Sequence, residues 1–157
     1  MTERLVPFLD APYEIQIESR EWRNSSNVTQ YFKIQHIDKS THIKWIESMK
    51  KDNPQTVAFF IQSNGCFIGI TYFHSLNYAN HTADWGIYIY KPEYLGHGIG
   101  RFALSTCIDY AKDKLKLKQI FLDVKDTNVR AKSLYEHMGF VPTGEKDGEF
   151  IRYIKEL

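Results

Sequence analysis

Three glycines at alternate positions, Gly96, Gly98 and Gly100, lie in the stretch PEYLGHGIGRFAL (92–104), directly before a segment with helical periodicity. The first amide N–H groups of a helix have no partner within the helix, and the helix dipole places about half a positive charge there. Glycine also removes the Cβ atoms that would keep phosphate oxygens away from the backbone. The pattern indicates a loose turn or a phosphate-binding loop, and its position between a strand and an amphipathic helix favours the phosphate.

Two common phosphate-binding motifs do not fit this loop. A P-loop ends in Gly-Lys-Ser/Thr, whereas this stretch continues with Gly100, Arg101 and Phe102. The dinucleotide fingerprint has the spacing GxGxxG in the first strand–helix turn, whereas these glycines alternate and come late in the chain. The sequence therefore predicts a different phosphate-containing ligand.

A second block, NVRAKSLYEHMGF (128–140), has the hydrophobic period of a helix that ends at Gly139. Ala131, Leu134, Tyr135 and Met138 share the apolar stripe of this helix, where the Tyr135 phenol can pack in the core.

Together, the two blocks resemble the signatures of the GNAT acetyltransferase family. The second block matches the family pattern Asn-x-x-Ala-x-x-Leu-Tyr-x-x-x-Gly-Phe at Asn128, Ala131, Leu134, Tyr135, Gly139 and Phe140. The first block resembles the loop that binds the pyrophosphate of acetyl-CoA, except that Leu95 stands where the family usually has Arg or Gln. Because such a loop binds through main-chain amides, the resemblance implies acetyl-CoA as the acetyl donor.

The resemblance also implies the fold and the cofactor contacts. The expected fold is α/β (α+β): a single mixed, mostly antiparallel sheet that is splayed between two parallel central strands, with helices on both faces. In this family the pantetheine arm lies in the splay and pairs with exposed backbone. The implied acetyl-CoA contacts are Ile87, Tyr88, Ile89, Leu95, Gly96, His97, Gly98, Ile99, Gly100, Arg101 and Asn128. Tyr135 would protonate the departing sulfur, with a phenol pKa near about 10 and a thiol pKa near about 8.5.

The general base is a separate question, because a primary amine must lose a proton before it attacks the thioester carbonyl. Asp123 comes before Tyr135 on the predicted splayed strand, where some members of the family carry a glutamate. Strand alternation places Asp123 on one face with Lys125. Asp123 is the candidate base, directly or through water. An ion pair with Lys125 or with a neighbouring helix is the alternative, and Asp84 and His74 are further candidates.

The N-terminal third is expected to select the acceptor amine. Residues 21–49 resemble a GNAT subgroup of the form Trp-Arg-Asn…Ile-x-x-x-x-His-x-x-Trp. That subgroup includes the nucleotide-amino-sugar N-acetyltransferase of pseudaminic acid biosynthesis, and also enzymes that act on ribosomal-protein N-termini or polyamines. Three residues are predicted to bind the substrate. Arg23 would hydrogen-bond a diphosphate or a uracil edge, His42 would donate to a phosphate, and Trp22 would stack on a base.

Each of these residues also has a structural interpretation, with Trp22 in the core and Arg23 pairing nearby. The residue types favour a UDP-linked 4-amino sugar over a polyamine, which needs clustered carboxylates. Glu14, Glu18 and Glu21 have near-helical spacing and keep the polyamine as the alternative. A degenerate GNAT fold that binds CoA or a partner without turnover is a third interpretation.

The elements that position these residues follow from the hydrophobic periods. Apolar residues recur every fourth position over 99–115, which predicts a helix, and alternate over 82–90, which predicts a strand. The other predicted elements are strands at 4–9, 56–62, 66–74 and 119–124, helices at 38–52 and 128–140, and a C-terminal pair of strands. Residues 12–24 fit a strand or a helix by period, and their proline start and charged end favour the helix. The predicted order is β-α-α-β-β-β-α-β-α-β-β, in one domain over residues 1–157.

Composition narrows the function classes. The formal charge of +1 for 157 residues does not indicate nucleic acid or an anionic membrane as a partner. The apolar runs are strand-sized and the N-terminus lacks a signal-peptide layout, so we expect a cytoplasmic protein. Cys66 and Cys107 are expected to be reduced, buried thiols, and the histidine spacing predicts no metal. A homodimer through the C-terminal strands stays open.

Overall fold

Residues 2–157 are described by a computed structural model, and their elements follow the predicted order. The strands are β1 (Glu3–Pro7), β2 (Val57–Ser63), β3 (Cys66–Asn77), β4 (Thr82–Ile89), β5 (Gln119–Lys125), β6 (Val141–Asp147) and β7 (Phe150–Glu156). The α-helices are α1 (Tyr13–Asn24), α2 (Ser26–Thr29), α3 (Lys39–Ser48), α4 (Ile99–Asp113) and α5 (Val129–His137).

Within residues 2–157, the strands form one seven-stranded sheet in the order β1-β2-β3-β4-β5-β7-β6. Neighbouring strands are antiparallel except β4 and β5, which run parallel. The pairing of β4 with β5 ends at Asp84 opposite Phe121, although β4 continues to Ile89 and β5 to Lys125. The two strands therefore separate, which confirms the predicted mixed sheet splayed between two parallel central strands.

Helices cover both faces of the sheet, as predicted. On one face, α4 and α5 pack through Leu104, Cys107 and Tyr135 against Trp85 of β4. On the other face, the α1–α3 segment packs against Tyr88 of the same strand. Because successive side chains of a strand point to opposite faces, β4 contributes to two separate cores. We call these sides the α4–α5 face and the α1–α3 face.

Local signals in the sequence determine where several elements begin and turn. The Asp38 carboxylate accepts a hydrogen bond from the Thr41 amide (2.7 Å) and caps α3. The turn between β2 and β3 has positive φ angles at Asn64 (50°) and Gly65 (81°), as a tight hairpin turn requires. The sequence does not predict the four-residue helix α2, because one turn is too short to show a hydrophobic period.

Both cysteines are free thiols in the described part of the chain. Cys107 is buried between α4 and the sheet, and burial raises the pKa of its thiol. Cys66 is half-buried, so the prediction of two buried thiols is wrong for this residue. Among residues 2–157, no helix combines the length and apolar character needed to cross a membrane.

Candidate active site

A cavity of about 520 Å³ opens in the sheet where β4 and β5 separate. Its lining includes Gly86 and Ile87 of β4 on one side of the gap and Val124 of β5 on the other. Tyr135 of α5 lines it from the α4–α5 face, and His42 of α3 lines it from the α1–α3 face. The cavity therefore reaches both faces of the sheet and has the size of a small-molecule site.

The glycine loop lies at the N-terminus of α4 and leaves its backbone uncovered. Gly96 and Gly98 both have a φ of 79°, in the left-handed region that favours glycine. A Cβ atom at either position would meet nothing within 4 Å. Within residues 2–157, the amide N–H groups of residues 96–101 donate to no protein acceptor. The loop thus combines open space with unpaired donors, the features expected of a pyrophosphate site.

The other loop residues have different roles. Leu95, His97 and Arg101 are exposed, so their side chains leave the backbone accessible. Gly100 lies close to α5: a Cβ atom there would lie 3.2 Å from Leu134 Cδ2, so that side chain would have to shift by a few tenths of an ångström.

The residues that were predicted to meet the pantetheine arm divide between the cavity and the core. Ile87 and Tyr88 line the cavity. Ile89 lies outside the lining and packs in a core cluster with Ile99, whose side chain is 1% exposed. The buried Ile99 can therefore contact acetyl-CoA only through its backbone, whereas Ile89 is partly buried.

Asn128 and Tyr135 line the cavity from the start and the middle of α5. The Asn128 side-chain oxygen accepts a hydrogen bond from the Ala131 amide (3.3 Å), which caps the helix and leaves the side-chain NH2 free. The Tyr135 ring meets Trp85 edge to face, with 6.0 Å between the ring centroids. Burial raises the pKa of Tyr135, so its hydroxyl keeps its proton across neutral pH.

Tyr72 is a cavity residue that sequence analysis missed. Its phenol lies against Gly86 of β4: a Cβ atom at Gly86 would be 2.5 Å from Tyr72 Oη. Burial raises the pKa of Tyr72 to about 12. The alternation of the segment CFIGITYFH was the available signal, since it places Tyr72 on the same face as His74.

Asp123 lines the cavity, and both of its carboxylate oxygens have cationic partners. Lys33 Nζ lies 3.2 Å from Oδ2, and Arg152 Nη1 lies 3.3 Å from Oδ1. Arg152 also donates two hydrogen bonds to Asp84 (2.9 and 3.0 Å), and this pairing raises the pKa of Arg152. The alternative of an ion pair was right in kind but wrong in partner, because Lys125 donates to a backbone carbonyl after α2 instead.

Arg23 lines the cavity, and its guanidinium already has protein partners. Nη1 donates to Thr29 Oγ1 (3.1 Å), Nη2 donates to the Ile34 carbonyl (2.8 Å), and the group lies 4.0 Å from the centroid of the Phe32 ring. Burial lowers the pKa of Arg23. Arg23 therefore holds the cavity-lining segment after α2, with its other N–H donors available.

Trp22 and His42 do not present the groups that the sequence predicted. Trp22 lies outside the cavity, is 7% exposed and stacks on Tyr90 in the α1–α3 core, so its assignment to the substrate is wrong. His42 lines the cavity, but burial lowers its pKa and its Nε2 lies 2.8 Å from the Gln16 carbonyl oxygen. A neutral imidazole that donates from Nε2 has only a lone pair on Nδ1, so His42 has no donor for a phosphate.

The described residues contain no group of three or more His, Cys, Asp or Glu side chains that could hold a metal ion. The ionisable side chains that line the cavity are four phenols, two histidines, one carboxylate and three cations.

Known acetyltransferases are similar to this chain in sequence. The sequence profile of the Acetyltransferase (GNAT) family matches residues 13–140, which include both signature blocks. Acetyltransferase PseH of Campylobacter jejuni (strain 81-176) is 26% identical over 120 residues, covering 76% of this chain and 73% of PseH. Spermidine N(1)-acetyltransferase of Escherichia coli K12 is 30% identical over 92 residues, covering 59% of this chain and 49% of that enzyme.

Solved structures share the fold. The spermidine N-acetyltransferase of Vibrio cholerae, in complex with CoA and spermine, superposes with a TM-score of 0.80 at 23% identity and covers 99% of this chain and 94% of its own. Campylobacter jejuni PseH in complex with acetyl coenzyme A has a TM-score of 0.74 at 19% identity, covering 99% of each chain. At these identities the likeness concerns the architecture, which both kinds of relative share.

Proposed function

Because this chain belongs to the GNAT family of acetyl-CoA-dependent N-acetyltransferases, we propose that it acetylates the 4-amino group of a UDP-linked amino-deoxy sugar by direct transfer. Such a reaction belongs to the biosynthesis of surface glycans of the pseudaminic-acid type. The 26% identity to PseH supports this acceptor, and the identity to the spermidine enzyme supports a polyamine as the alternative.

The charged side chains that line the cavity favour one of the two acceptors over the other. Among the described residues that line the cavity, Arg23, Lys33 and Lys125 are cationic, and Asp123 is the one carboxylate. Asp123 pairs with Lys33 and Arg152. Lys33 also pairs with Asp147, and Lys125 lies 3.8 Å from Glu149. A polyamine is a polycation and needs unpaired carboxylates, whereas a nucleotide diphosphate needs cations and N–H donors. Among the described residues, the lining offers no unpaired carboxylate, and the remaining N–H donors of Arg23 therefore favour the nucleotide.

The carboxylates that suggested a polyamine lie elsewhere. Glu14, Glu18 and Glu21 line a separate hollow outside α1, together with Lys39 of α3. None of the three glutamates lines the cavity that contains Tyr135. The cluster therefore contributes no carboxylate to the lining of that cavity, although His42 lines both hollows.

Aromatic side chains support a nucleotide in the same cavity. Tyr31 and Phe32 from the segment after α2, Trp45 of α3 and Phe150 of β7 all contribute to the lining. Planar rings of this kind stack on a uracil base or on the apolar face of a sugar. The uncommitted N–H donors of Arg23 lie beside them and can reach a phosphate or a base edge.

The donor side of the proposed reaction uses the glycine loop and the gap. The unpaired amides of residues 96–101 would hold the pyrophosphate, and the exposed edge of β4 at Ile87–Ile89 would pair with the pantetheine amides. Asn128 would donate its free NH2 to the cofactor. Tyr135 would donate a hydrogen bond to sulfur as the C–S bond breaks. A thiol with a pKa of about 8.5 is already a good leaving group, so this assistance is sufficient.

The test compares acceptors directly. Purified protein and acetyl-CoA are incubated with a UDP-linked 4-amino sugar, with spermidine or with a ribosomal-protein N-terminal peptide, and free CoA is detected with a thiol reagent. We expect CoA release with the UDP-linked sugar at a rate far above background hydrolysis. Release with spermidine or the peptide, and none with the UDP-linked sugar, would show that the proposed acceptor is wrong.

A further inference from the structure

His74 stands at the point where the central strands separate. It lies on β3 directly opposite Asp84 of β4, and Asp84 is the last residue of β4 that pairs with β5. Strand alternation puts His74 and Tyr72 on the α1–α3 face, and His74 lines the cavity together with Gly86. Tyr135 lines the same cavity from the opposite face. An acid on one side of the gap could reach the departing sulfur, and a base on the other side could reach the attacking amine.

The other proton acceptors of the cavity are less accessible for this role. Both oxygens of Asp123 have cationic partners, so protonation of Asp123 would break an ion pair. His42 donates from Nε2 to the Gln16 carbonyl and keeps a lone pair on Nδ1, but it is 6% exposed and lies on α3 rather than on a strand of the sheet. In His74, Nδ1 lies 3.2 Å from Ser75 Oγ, and Nε2 has no protein partner within residues 2–157. With the proton on Nδ1 donated to Ser75, Nε2 presents a free lone pair.

The surroundings of His74 keep its ring neutral. Asp84 of β4, Asp123 of β5, Arg152 of β7 and Lys33 of the segment after α2 face it. Burial lowers the pKa of His74 below its usual 6.5, and the two carboxylates oppose this effect only in part, since the two cations are paired with them. The imidazole is therefore unprotonated at pH 7, which is the form that a base requires.

We propose that His74 is the general base that deprotonates the acceptor ammonium. His74 Nε2 takes one proton from the ammonium and passes it to solvent. The amine lone pair then forms a C–N bond with the thioester carbonyl carbon, and the C–S bond breaks with its electron pair on sulfur. The second proton moves from the new amide nitrogen to sulfur, with Tyr135 as the relay. The products are the N-acetylated amine, CoA and one proton in solution.

The experiment measures kcat against pH at saturating acetyl-CoA for the wild type, His74→Gln and His74→Asn. The Asn variant keeps a group that can bond Ser75, and both variants remove the base. We expect kcat at pH 7 to fall by about 100-fold or more in both, with an unchanged KM for acetyl-CoA. We also expect the acid limb of the wild-type profile, below pH 6.5, to disappear. In the variants, the only pH dependence left in kcat should be the one that comes from ionisation of the bound amine itself.

His137→Gln is the matched control, because His137 is an exposed histidine on α5 that contacts only the helix backbone. It should retain the wild-type profile. The rise in Tm with added CoA shows that each His74 variant is folded. A wild-type acid limb in His74→Gln, or loss of that limb in Asp123→Asn instead, would overturn the proposal. The inference rests on acetyl transfer to an amine, and the assay uses whichever acceptor releases CoA, so an error in the proposed sugar leaves this outcome unaffected.

Discussion

Substitution of Gly98 by alanine tests the phosphate-binding role of the loop. Gly98 has a φ of 79°, and a Cβ atom there would point into open space. The left-handed conformation costs an alanine about 1 to 2 kcal/mol. For a chain of this length that cost lowers the Tm by about 2 to 8 °C. If the open space is where the pyrophosphate lies, the added methyl group also displaces the ligand.

The expected loss of affinity follows from the donors that surround this position. The methyl group would remove at least one hydrogen bond from a loop amide to a charged phosphate oxygen, which is worth about 1.5 to 3 kcal/mol. This corresponds to acetyl-CoA binding that is about 10- to 150-fold weaker. Titration calorimetry with CoA measures the affinity, and a thermal melt without ligand measures the stability.

Gly65→Ala supplies a matched control for Gly98→Ala. Gly65 lies in the turn between β2 and β3 with a φ of 81°, and a Cβ atom there also meets nothing within 4 Å. The backbone cost is therefore the same, and the turn is not part of the proposed cofactor site. Both variants should lose similar stability, and only Gly98→Ala should lose affinity for CoA. Equal affinities in the two variants would refute the role assigned to the loop.

The remaining predictions concern the cavity. Tyr135→Phe should lower kcat by about 10- to 1000-fold with an unchanged KM for acetyl-CoA, and unchanged turnover would reduce Tyr135 to a packing residue. Arg23→Ala should raise the acceptor KM more than it lowers kcat, because it frees the segment that Arg23 holds at Ile34; unaltered kinetics would move the acceptor site elsewhere. Gly86→Ala should lower stability by about 1 to 3 kcal/mol, because its Cβ atom would overlap Tyr72 Oη at 2.5 Å. An unchanged Tm in a thermal melt would contradict this.

The sequence predicted the element order apart from α2, and its resemblance to the GNAT family implied the splayed sheet. Strands and helices have different hydrophobic periods, so the change of period along the chain marks each element. The glycine loop and the block from Asn128 to Phe140 could be recognised because their residues act within one turn or one helix. A cap at Asn128 or a positive φ at Gly98 depends on neighbours only a few positions away. Such local features can therefore be recognised from the sequence alone.

Only the tertiary structure decided which charges and rings meet. Arg152 lies opposite Asp123 because β7 inserts between β5 and β6, and Lys33 reaches the same carboxylate from the segment after α2. Both partners are far from Asp123 in the sequence, so neither contact could be predicted from the sequence alone. The same holds for Trp22, whose ring faces the core because α1 packs on Phe60 and Tyr90. Composition and period identify the elements, whereas strand order, register and the face of each helix determine which side chains share the cavity.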